Sequence, residues 1–230
     1  MLGTVECVYK TNAHVEQNDL ELVIHGDSDT YIDLDITFYV RGKLVSSSAK
    51  AVDMTDTTAV TNYLLLSLFI QCTVTLNGVP VTHSHEHCNY RSYLETLLKY
   101  GTDAEASHST NTYWYLDSGD MQPCDPLAEN HTASTNNCFI GRWNMLGGSR
   151  EVQLFGRLHT DLYNVPLFLL PGVRLHIKLT KARPSFYLME KTADSKITFK
   201  FFDAYFYFRL VHPIAATLSA ESTNLAKDII

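Results

Sequence analysis

A chain of 230 residues that is 45% hydrophobic and 11% aromatic can bury one sizeable core, and a charged fraction of only 19% excludes intrinsic disorder. Its 25 acidic residues outnumber 18 basic ones, for a formal net charge of −7; that balance repels phosphate backbones and argues against a direct nucleic-acid role. The five cysteines (Cys7, Cys72, Cys88, Cys124 and Cys138) are odd in number and widely spaced with no CxxC pair, so they read as reduced thiols of an intracellular protein.

The opening MLGTVECVYK lacks the apolar segment of a signal peptide. Leu20, Leu22 and Ile24 alternate with other residues as a short strand. Ile32, Leu34, Ile36, Phe38 and Val40 share one parity against Asp33, Asp35, Thr37 and Arg41, which predicts a longer strand with one buried face. A short helix is expected within 59–67, leading directly into strand residues. The run Tyr63 to Ile70 is far shorter than the roughly 20 residues a bilayer crossing takes, so no membrane span is expected. Thr73 to Val81 reads as a hairpin: Asn77-Gly78 suits the positive φ angles of a type I′ turn, and Pro80 places the return strand at an edge or bulge.

Tyr90, Tyr93, Leu94, Leu97 and Leu98 form a single helical stripe, expected to hold that helix onto the sandwich. Asn89 is its expected N-cap, Gly101 its stop, and Arg91, Glu95 and Lys99 succeed one another at i+4 on the outer surface. Residues 102–148 are polar and rich in Ser, Thr and Asn, with Pro123, Pro126, Gly147 and Gly148, the composition of a long loop excursion. One of that length in a compact domain is expected to be functional or interfacial. Val173, Leu175, Ile177 and Leu179 alternate as another strand. Between Ile197 and Val211 the apolar parity switches from odd to even; either a bulge near Asp203 flips the register or both faces are covered, and a long strand between two covered faces is the preferred reading. Residues 215–228 are weakly helical.

These elements predict an all-β fold, a jelly-roll β-sandwich with one or two short helices in the crossovers. It forms a single domain over 1–230, with 102–148 as the excursion and 215–230 as a C-terminal tail. Periodicity alone leaves an immunoglobulin-like or lectin sandwich open.

The sharpest candidate for chemistry is Thr82-His83-Ser84-His85-Glu86-His87-Cys88. Alternating His83, His85 and His87 could put three imidazoles on one strand face and bind a transition metal, as in a cupin-like jelly-roll enzyme. That pattern needs a glutamate four or five residues on, where Asn89, Tyr90, Arg91 and Ser92 stand instead, so a polar loop entering the helix is the simpler reading. Asp33 and Asp35 share a strand face and suit a solvated face or a salt link to a neighbouring strand better than catalysis. Arg174, His176, Lys178, Lys181 and Arg183 lack the interleaved aromatics of a nucleic-acid stripe and read as an exposed strand face or edge, or as a contact to an acidic neighbouring subunit. Gly147-Gly148-Ser149 lacks the lysine of a phosphate loop. No catalytic residue, metal or cofactor is expected.

Several blocks carry a resemblance. Tyr31-Ile32-Asp33-Leu34; Leu66 to Gln71 running into Val74 to Gly78; Tyr90 to Gly101; Gly156 to Leu162 followed by Leu169 to Val173; and Arg183 to Met189 resemble, in order, blocks of the double-jelly-roll major capsid proteins of Polinton (Maverick) elements and adintoviruses. Pro171 stands where that family tends to have Asn. The resemblance covers most of residues 20–220 and implies the first of two jelly rolls in a hexon-like capsid subunit. It further implies a self-assembling virion shell protein, or a truncated or domesticated copy of one. Its partners would be itself, as a trimer or higher assembly, and other capsid proteins.

Overall fold

Alternating burial builds two large antiparallel sheets from this chain, beside a small two-stranded one. A computed structural model describes residues 3–10, 19–26, 29–46, 48–82, 87–105, 107–164, 167–190 and 196–212; the expected C-terminal tail and its weak helix lie outside them. The strands are β1 (Gly3–Lys10), β2 (Asp19–His25), β3 (Tyr31–Asp33), β4 (Thr37–Ser46), β5 (Ala59–Val60), β6 (Phe69–Leu76), β7 (Val79–Pro80), β8 (Val152–Arg157), β9 (Phe168–Leu169), β10 (Arg174–Lys181), β11 (Leu188–Met189) and β12 (Ile197–His212). The helices are α1 (Leu64–Ser67), α2 (Cys88–Lys99), α3 (Thr102–Glu105), α4 (Asn137–Leu146) and α5 (Pro184–Tyr187).

One sheet runs β2-β10-β6-β7. The other has β12 as its spine: β4 pairs with residues 197–207, β3 with 210–211 and β1 with 205–212. Because β1 overlaps both β3 and β4 along β12, the latter two must lie end to end on its opposite edge, with β9 and β8 beyond them. The expected strand over 32–40 is therefore broken in two. Its parity survives, with Ile32, Leu34, Ile36, Phe38 and Val40 all buried, but Ile36 N donates to Leu34 O at 2.8 Å and Asp35 N to the Asp33 carboxylate at 3.0 Å, a local turn that interrupts the ladder.

The core lies between the sheets. Phe69 of β6 meets Phe38 at 5.6 Å and Phe201 at 5.7 Å across the gap, while Phe38 stacks on Phe206 at 4.6 Å within its own sheet. The preferred reading of β12 as a strand with two covered faces is corrected: Ile197, Phe199 and Phe201, then Ala204, Phe206 and Phe208, are buried, Lys200 and Arg209 are exposed, and the register shifts between Phe201 and Asp203. A β-bulge keeps the apolar side chains inward as the parity changes. Gly42 sits opposite it because a Cβ there would come within 2.4 Å of both Phe199 Cε1 and Lys200 O. The hairpin forms as expected, with φ 50° at Asn77 and 83° at Gly78 and β7 as an edge strand.

Residues 102–148 are not the loop their composition suggested. They contain α3, a 3₁₀ turn over His108–Thr112 and the ten-residue α4, and they bury Trp114, Phe139, Trp143 and Leu146. Asn136 caps α4 by accepting from Phe139 N at 3.1 Å. Arg142, fully buried, donates through Nε to Val60 O at 2.9 Å, through Nη1 to Tyr115 O at 2.6 Å, and through Nη2 to the Asp117 carboxylate. One guanidinium thus ties α4 to β5 and to the irregular 115–117 segment. Of the short helix expected within 59–67, only Leu64–Ser67 is helical, Ala59–Val60 pairing instead with β11.

Candidate functional site

Helix α2 is turned over relative to expectation. Its buried residues are Asn89, Ser92 and Thr96, whereas Tyr90, Leu94, Leu97 and Leu98 are 57, 54, 44 and 81% exposed. Of the five stripe residues only Tyr93 packs inward, its ring 5.1 Å from that of Trp114. The spacing 90, 94, 97 and 98 gives the solvent a continuous apolar ridge. The caps differ too: Asn89 lies inside the first turn with its side chain accepting from Tyr90 N, His87 takes the N-cap position without a side-chain bond, and Tyr100, in extended conformation, ends the helix before Gly101.

A polar cluster fixes the helix from beneath. Tyr63 enters α1 with φ 60°, which directs its chain toward Tyr113 and its ring onto Trp114 at 5.1 Å. Its hydroxyl is 2.8 Å from His159 Nε2, and His159 Nδ1 is 2.9 Å from Glu95 Oε2. Glu95 also takes Arg91 Nε at 2.9 Å and Lys99 Nζ at 3.6 Å, and Arg91 forks onto Asp161 at 3.1 and 2.5 Å. The expected i+4 series is therefore present, but Glu95 points inward. Burial would raise its carboxyl, yet the hydrogen bonds from His159 and Arg91 outweigh burial and hold it at about 2. Burial lowers His159 despite Glu95, with Lys99 and Arg157 adding to the effect.

The cluster borders a cleft of about 310 Å³ lined by Cys72, Cys88, Arg91, His159 and Thr160 among others. The groups there are poor nucleophiles: burial pushes the Cys88 thiol up to about 12, raises Cys72 further, and raises the Tyr63 hydroxyl as well. Tyr63, His159 and Glu95 hold one another in place; they do not present an activated group to the cleft.

The sequence candidates are dispersed. His83 and His85 lie outside the described residues; His87 is exposed, with its ring 5.8 Å from Tyr90. Among the described residues no group of three His, Cys, Asp or Glu side chains could hold a metal ion. Asp33 and Asp35 take Arg209 of β12 at 3.1 and 3.5 Å, and Asp35 takes Arg157 of β8 at 2.7 Å, the interstrand salt links expected. The basic group is largely spoken for: Lys178 bridges Asp19 and Glu21 on β2 at 3.0 and 3.1 Å, and half-buried Lys181 donates to Phe199 O at 2.7 Å. Cys72, Cys88, Cys124 and Cys138 are free thiols. No helix among the described residues is long and apolar enough to cross a membrane.

Sequence reading missed Tyr63, His159 and Arg142. The signal for Arg142 was present, a lone arginine between Phe139 and Trp143 in an otherwise apolar helical turn. His159 had none beyond its place in the Gly156 to Leu162 block.

No protein-family model matches the chain, and no curated protein matches it. Solved structures do. A chain of the Sputnik virophage, from its 3.5 Å cryo-EM structure, superposes with a TM-score of 0.58 at 11% identity over 93% of this chain and 48% of that one. A chain of the PBCV-1 virus capsid gives 0.56 at 12% identity, over 96% and 44%. PBCV-1 VP54, fitted into a reconstruction of Sputnik, gives 0.54 at 11%, over 96% and 44%. The chain spans about half the length of these solved chains. Two facing antiparallel sheets with helices in their crossovers, matched nearly end to end, give this chain the jelly-roll fold of viral capsid proteins.

Proposed function

We propose that this chain belongs to a structural subunit of a viral shell, as a jelly roll of the double-jelly-roll capsid type, or to a domesticated copy of one, and that it acts by self-association and not by catalysis. Its lineage is that of the Polinton and adintovirus capsid proteins, its assembly is a trimer or larger, with other capsid proteins as further partners, and its place is the virion after intracellular assembly. The observation that carries this reading is the outward apolar ridge of α2 on a capsid-type fold. Burying a leucine is worth about 1.5–3 kcal/mol, so a ridge holding Leu94, Leu97 and Leu98 in water is a costly surface for a protein that stays alone. Exposed Leu116, Met121 and Leu127 give the 102–148 segment apolar contact points for neighbouring subunits. Aspartates already tied to arginines and buried, protonated thiols give catalysis little to work with.

The test is the solution mass of the purified chain, by light scattering on a sizing column with electron microscopy of the main peak. A trimer or larger closed assembly is expected. A monomer at tens of micromolar, with no particles in the micrographs, would refute self-assembly.

A further inference from the structure

We propose that the Tyr63–His159–Glu95 chain is an acid-sensitive latch that holds α2 on the sandwich, so that mild acid loosens the helix while the two sheets stay closed. The inference concerns how α2 is fastened, which the shell-building role does not specify.

The geometry carries it. The inward face of α2 mixes polar and apolar groups: Asn89, Ser92 and Thr96 are buried, and Tyr93 on Trp114, Tyr90 on Phe186 and partly buried Cys88 supply apolar contacts, so polar fastenings carry part of the docking. Its fastenings to the rest of the fold include the Glu95–His159–Tyr63 chain at 2.9 and 2.8 Å and the Arg91–Asp161 fork. With a neutral imidazole the Tyr63 hydroxyl donates to Nε2 and Nδ1–H donates to the Glu95 carboxylate. A protonated ring forces the hydroxyl to accept from Nε2 and send its own hydrogen elsewhere, toward Thr96. The new positive charge would also arrive among cations. Arg91 and Lys99 face the site from α2 and Arg157 from β8, against the carboxylates of Glu95 and Asp161. Asp35 and Tyr100 share a second cleft with Tyr63 and His159, and Asp35 is paired with Arg157 and Arg209. Across the adjoining cleft are His87 and the protonated thiols of Cys72 and Cys88.

The signs agree. His159 is depressed in the docked state, so docking is fully stable above the ordinary histidine value near 6.5 and weakens as pH falls below it. Glu95 is held at about 2, so its contribution is complete above the ordinary carboxylate range and is lost between there and about 2. Both groups favour docking at neutral pH, and His159 yields first.

Hydrogen exchange of the full chain, read by mass spectrometry at pH 7 and pH 5 and corrected for the intrinsic chemistry of exchange, tests the latch. Opening of peptides spanning 88–99 should rise on acidification, by up to about tenfold per pH unit below 6.5, while peptides from β10 and β12 keep their protection. His159→Gln should remove the pH response, whereas a merely structural role for His159 would raise opening equally at both pH values. If that variant does not fold, the ring titration of His159 in the wild-type chain, followed by NMR, decides: a midpoint below 6.5 that coincides with α2 opening supports the latch. An α2 that opens no more at pH 5 than at pH 7, a His159→Gln chain that keeps the response, or a His159 midpoint at or above 6.5 would overturn it.

Discussion

Arg142 is the residue whose loss should be felt most, and Arg142→Met isolates the reason. Methionine fills much of the volume and removes the charge and all the donors. Val60 O and Tyr115 O then lose a charged partner inside the fold, and Asp117 keeps the Asn136 Nδ2 contact at 2.8 Å. Removing one member of a buried ion pair costs about 3–5 kcal/mol. The Asp117 side chain, 22% exposed, can recover some hydration, which pulls toward the lower end; the two carbonyls, at about 1–3 kcal/mol each if left dry, pull the other way. A loss of about 3–5 kcal/mol is therefore expected, a large share of the 5–15 kcal/mol typical of a domain. Trp114 and Trp143 are the two tryptophans of the chain and both are buried in this region, so urea unfolding followed by their fluorescence reads it directly. Pairing the change with Asp117→Asn in a double-mutant cycle should return a coupling above 0.5 kcal/mol. If Arg142→Met stays within about 0.5 kcal/mol of wild type, the guanidinium is not what secures α4, and the assignment of 102–148 as integral structure fails with it.

Three further outcomes are expected. Leu94→Glu with Leu98→Glu should leave the unfolding free energy within about 1 kcal/mol, because both side chains already face water, while reducing any assembly to monomer; a collapse in stability would mean the ridge packs inward. Gly42→Ala should cost about 1–3 kcal/mol, its methyl group falling on Phe199 and the Lys200 carbonyl, and an unchanged urea midpoint would discount the close approach opposite the bulge. Elemental analysis of purified protein should find less than one equivalent of zinc, iron or copper; a stoichiometric metal that is lost on replacing His83, His85 and His87 would revive the cupin-like reading.

Much of the sandwich was legible because burial on one sheet face writes itself as a period of two. Leu20 to Ile24, Ile32 to Val40 and Leu175 to Leu179 all point as their parity says. The turn at 34–36 escaped notice because it conserves parity while ending the ladder, a hydrogen-bonding event with no hydrophobic signature. In α2 the period of 3.6 correctly gathered Tyr90, Leu94, Leu97 and Leu98 on one face, but periodicity says which residues share a face and not which way it looks. The sheets already fill the core with Phe38, Phe69, Phe201 and Phe206, and the space under α2 is taken by His159 and Tyr63. The candidate site was hardest to read because its members come from positions 63, 95 and 159, joined only by the tertiary fold.

The spine position of β12 also sets an order of events. The sheet β2-β10-β6-β7 has all its strands once residue 181 has been made, whereas β1, β3 and β4 find their shared partner only when residues 197–212 emerge, Gly3 pairing with His212. Closing so distant a contact is slow, and synthesis at about 5–20 residues per second adds further delay. During that interval the first sheet offers the bare inner face of Leu22, Val74 and Ile177 to solvent. Chaperone demand for this protein should therefore fall on the nascent chain in the span between residues 181 and 212, and ease once the last strand is in place.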